Sequence, residues 1–128
     1  GLARAQYSAA SLLTAAGTLD TASDRSFVAS SGQEDIHTAG NIASANLLDT
    51  VDKIARVVAV EFLCCARATR QTDTSLPDGL AAARQFVEST VDMRAGDVPW
   101  SADITALGDA IRTGALEEAV RKTDVDIE

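Results

Sequence analysis

The chain has 128 residues, a formal net charge of −8 and a sequence pI near 4.5. That length suits one ordinary domain with a single core, and an apolar content of 46% sets it apart from disordered polypeptide. The acidic balance argues against nucleic acid, whose phosphates call for clustered Lys and Arg, and against anionic membrane surfaces.

Residues from Leu2 to about Ala16 are rich in alanine, the best helix former, and predict a helix ended by Gly17. Thr18 to Ser31 is polar and turn-rich and reads as a loop. From about Gln33 to Arg70 the apolar residues include Ile42, Leu47, Val51, Ile54, Val58 and Phe62, and steps of three and four dominate. That is the period of a helix. Around Val57–Cys65 almost every side is apolar, which predicts a helix buried among others, and Glu61 within it is expected to pair with an arginine. Val57, Val58 and Val60 would suit a strand, but the helical pattern continues on both sides without Gly or Pro. A helix of roughly 35 residues is about 50 Å long, more than a chain this small can cover, so its bare apolar surface implies partner helices.

Gln71 to Asp78, with Pro77, reads as a linker. Gly79 to about Asp92 is a further helix with Leu80, Ala83, Phe86, Val87 and Val91 on one face. After a turn-rich connection, Ser101 is the expected N-cap of a helix that buries Ile104, Leu107 and Ile111 and stops at Gly114. A short helix over Ala115–Lys122 closes the pattern. The whole of residues 1–128 thus reads as a single all-α segment of a long-helix bundle. Its abrupt start at Gly1-Leu2, without methionine and already helical in pattern, is expected of a piece of a longer chain.

The two cysteines, Cys64 and Cys65, are adjacent on one helix and cannot join each other without strain. They read as buried, reduced thiols of a cytoplasmic protein. One histidine and no Cys-x-x-Cys leave no metal site in view. Nothing resembles a signal peptide, and the most apolar stretch, Val57–Cys65, is far too short to span a bilayer. Lys53 and Lys122 are the only lysines. Such an acidic, lysine-poor surface fits a protein of high-salt surroundings and an ordinary acidic protein alike.

The chemistry-bearing stretch is Ser30-Ser31-Gly32-Gln33-Glu34-Asp35, where a serine-rich loop turns at a glycine and brings an amide and two carboxylates to a helix start. Taken alone, it reads first as an elaborate helix cap, since the helix dipole favours carboxylates there. Second to that, it could orient a polar substrate, with Glu34 as acid or base. His37 is one turn away and, without further ligands, suits a polar helix position. Trp100 reads as a packing anchor.

Several stretches in order resemble the aromatic amino acid ammonia-lyases of the histidine ammonia-lyase type. Gln33-Glu34-Asp35, followed by Thr38 and Gly40, is similar to the family's Ser-x-Asn-Gln-Glu-Asp stretch. Val58-Ala59-Val60-Glu61-Phe62-Leu63-Cys64-Cys65 resembles its Leu-Ala-Val-Glu-Trp-Leu-Ala-Ala helix. Gly1-Leu2 with Ala5-Gln6, and Val98-Pro99, Asp103-Ile104 and Ile111-Arg112-x-Gly114-Ala115-Leu116, look like the helix before that stretch and the family's usual ending.

The resemblance implies the C-terminal part of the lyase fold and a homotetramer acting on a small amino acid. It also implies a 4-methylidene-imidazol-5-one electrophile formed from Ala-Ser-Gly. No Ala-Ser-Gly occurs in this chain, and Tyr7 does not match the family's basic tyrosine, so the resemblance places that chemistry in a missing N-terminal part and leaves this chain alone inactive. It assigns substrate binding to Gln33 and Glu34, with Glu34 also catalytic, and no metal. The implied reaction is elimination of ammonia from L-histidine to give urocanate, a step of histidine catabolism.

Two departures bear on specificity: Gly32 stands where the family usually has asparagine, and the loop 20–28 lacks its usual prolines. Phenylalanine-type members carry a glutamate four residues before the glutamine, where this chain has Ala29. A carboxylate directly after it, as at Glu34, suits an imidazole with its N–H donors. The alternatives are a tyrosine or phenylalanine lyase or aminomutase of the same family, and a non-catalytic helical module that assembles through its apolar rod.

Overall fold

The backbone propensities of this alanine-rich chain are realised as helices in a computed structural model, which describes residues 3–19, 40–72, 75–93 and 99–123. Five helices occur among the described residues: α1 (Ala3–Gly17), α2 (Gly40–Arg70), α3 (Asp78–Thr90), α4 (Ser101–Arg112) and α5 (Ala115–Arg121). The all-α expectation holds, and no strand occurs among the described residues. The long helix predicted from residue 33 is seen from Gly40 onward; its first predicted turns lie outside the described residues.

The helix ends follow local chemistry. Arg67 and Arg70 fall in the last turn of α2, where the helix dipole favours cations. Pro77 precedes α3 with φ −54°, a value its ring already imposes, and Asp78 sits in the first turn. Gly114 joins α4 to α5 at φ 79°, in the left-handed region that a side chain resists. Its N–H closes α4 on the Ile111 carbonyl at 3.1 Å, while its own carbonyl accepts from Glu118 at 2.9 Å and opens α5.

The spine of the fold is α2, with α1, α4 and α3 packed on it and α5 lying against α3 and α4. Ala59 and Leu63 of α2 are fully covered, together with Val87 of α3 and Leu107 of α4. Ala5, Val60, Ala66, Val91, Trp100 and Ile104 complete the same cluster, and Ile111 packs on its border. Small residues let the helices approach closely: a Cβ added at Gly108 would lie 3.1 Å from Arg56 Cγ and 3.4 Å from Arg56 Cα. Beside that crossing, Arg112 Nε lies 3.2 Å from Asp52 Oδ1 in an ion pair between α4 and α2.

Three expectations are corrected. Ser101 is the first residue of α4 and not its cap; Trp100 holds the cap position, without a side-chain cap hydrogen bond. The backbone enters the helix one residue earlier because Trp100 is held in the core and its carbonyl already accepts from Ile104 at 2.9 Å. Glu61 is exposed and makes no ion pair among the described residues, since it projects from a side of α2 that none of them covers. For the same reason Val57–Cys65 is not buried all round: Ala59, Val60 and Leu63 are buried, whereas Cys65 is exposed. Leu80, expected on one face with Val87, lines the same groove as Val87 while remaining 60% exposed.

Candidate functional site

The residues singled out for chemistry, Gln33 and Glu34, lie outside the described residues, as do Ala29, Gly32, Asp35, His37 and Thr38. The described part of α2 begins at Gly40, two residues after Thr38, and has no acidic residue in its first turn. The motif therefore precedes a long helix in sequence.

The other stretches that resemble the lyases prove to be framework. Ala59, Val60 and Leu63 of the Val58–Cys65 stretch form the centre of the core. Ala5 is buried and Gln6 exposed on α1. In the ending, Ile104 and Leu116 are buried, and Gly114 takes the left-handed turn that only glycine adopts at little cost. These positions carry packing and turn requirements, not reacting groups.

Trp100 is the anchor that its size suggests. It is 7% exposed, and the Arg67 guanidinium lies over its ring at 5.2 Å from the centroid. A cation over an indole face is attracted by the ring quadrupole. Trp100 Nε1 and Arg67 Nη1 are buried without a hydrogen-bond partner, so the ring face is the polar contact that remains to this guanidinium edge. Sequence reading placed the tryptophan but missed Arg67, because the pair joins the end of α2 to the residue before α4 and no local spacing links them.

The cysteines differ from the expected buried pair. Both are free; Cys64 is half-buried and Cys65 exposed. Burial pushes the Cys64 thiol above its ordinary pKa, the adjacent Cys65 adds to this, and Arg67 opposes it, with Glu61 a smaller upward influence. Cys65 lines a groove of about 260 Å³ between α2 and α3, whose walls include Phe62, Thr69, Leu76, Leu80 and Val87. Its lining offers hydrophobic contact and, apart from Cys65 and Arg84 at the margin, no titratable group. Among the described residues no group of three or more His, Cys, Asp or Glu could hold a metal ion. No helix among them is long and apolar enough to cross a membrane.

Helical spine, core motif and glycine turn together define a class. Residues 1–90 match the family model for aromatic amino acid lyases, and the chain belongs to that family. Among its relatives, a probable histidine ammonia-lyase of Halobacterium salinarum is 39% identical over 129 aligned residues, covering 95% of this chain and 24% of the relative. The histidine ammonia-lyase of Symbiobacterium thermophilum is 33% identical over 125 aligned residues, covering 94% of this chain and 24% of its own. The crystal structure of histidine ammonia-lyase from Trypanosoma cruzi superposes with a TM-score of 0.87 at 22% identity, over 96% of this chain and 25% of that one. This last likeness shows the shared fold. The chain thus spans about a quarter of the length of the relatives it matches.

Proposed function

We propose that this chain is the C-terminal part of a histidine ammonia-lyase, which eliminates ammonia from L-histidine to give urocanate in histidine catabolism. The observation that carries the reading is its similarity over nearly its whole length to proteins named as histidine ammonia-lyases, at 39% and 33% identity. Glu34 directly after Gln33 supports histidine over phenylalanine, because a carboxylate can accept from an imidazole N–H and has nothing to accept from a phenyl ring.

In this reading the methylidene-imidazolone supplies the electrophile, and it forms from an Ala-Ser-Gly elsewhere in the longer polypeptide. The 128 residues contain no such tripeptide, so none of their atoms belongs to that group. The share of this chain is substrate contact. Gln33 offers an amide that can both donate and accept, and Glu34 accepts from the imidazole and stabilises positive charge as the amine departs. The described residues contribute a helical framework. The assembled enzyme is a cytoplasmic homotetramer.

The test uses the polypeptide encoded by the complete gene, assayed with histidine, phenylalanine and tyrosine by the ultraviolet absorbance of the products. Histidine should be the substrate turned over, and the 128-residue chain alone should form no urocanate. Glu34→Gln keeps the shape and removes the charge, and turnover should fall by about a hundredfold, as for loss of acid–base help. Asp35→Asn should cost less, because that residue is assigned to capping. Near-normal histidine turnover in Glu34→Gln refutes the site assignment. Preferential turnover of tyrosine or phenylalanine refutes the substrate.

A further inference from the structure

We draw no further inference here: the strongest candidate, the open pocket between α3 and α5 lined by Gln85, Phe86, Ser89, Glu118 and Lys122, carries none, because its charged side chains Glu118 and Lys122 already pair with each other at 3.0 Å, no buried unpartnered polar group among the described residues lines it, and nothing in the structure shows what fills it.

Discussion

Leu63 and Leu48 stand on the same helix with the same side chain and opposite surroundings, and truncating each to alanine should give very different results. Leu63 is 0% exposed at the centre of the core, whereas Leu48 is 70% exposed. Leu63→Ala removes three carbons from a closed environment, about 2.4 kcal/mol at about 0.8 kcal/mol for each buried methylene. The cavity left behind adds to this, and about 3 kcal/mol is expected in total. Against a typical domain stability of roughly 5–15 kcal/mol, that is a large share, and for a chain of this size it lowers the melting temperature by about 10–15 °C. Leu48→Ala should cost less than about 0.5 kcal/mol, because its side chain is mostly in water in both states. Urea and thermal unfolding followed by far-ultraviolet circular dichroism would measure both. If Leu63→Ala costs no more than Leu48→Ala, α2 does not bury the face described here, and the core assignment fails.

Gly108→Val should destabilise by about 2 kcal/mol, because the new side chain meets Arg56 across the α2–α4 crossing; a variant that melts like the parent would show that the two helices are not in close contact. Arg112→Met should cost under about 1 kcal/mol, since the Arg112 and Asp52 side chains are 48% and 52% exposed, and a double-mutant cycle should find the coupling gone in molar salt. Cys65 should react with thiol reagents before Cys64, whose raised pKa delays the thiolate to higher pH. Since Cys64 holds its proton more tightly folded than unfolded, its contribution to stability is complete at neutral pH and declines as pH rises past the ordinary thiol value of 9.0. Mass-spectrometric mapping across pH checks the order, and faster labelling of Cys64 near neutrality would contradict its burial.

Much of the architecture was legible before any coordinates. Steps of three and four along Leu47–Phe62, alanine content, Gly17, Pro77 and Gly114 mark helices and their ends, because those signals act through the local backbone. α3, α4 and α5 fall within a residue or two of their expected bounds. Gln33 and Glu34 were legible as chemistry only through resemblance, since an amide and a carboxylate at a helix start are equally a cap.

Tertiary structure alone decided which apolar face of α2 the other described helices cover. Periodicity identifies apolar faces but does not say which neighbour reaches them, so Leu63 and Leu48 look alike in sequence and differ completely in exposure. It decided that Glu61 faces outward, that Arg67 stacks on Trp100, and that Gly108 permits the crossing at Arg56. Each of these joins residues far apart in the chain, and their meeting depends on how helices pack in space, a property that short-range propensity does not encode.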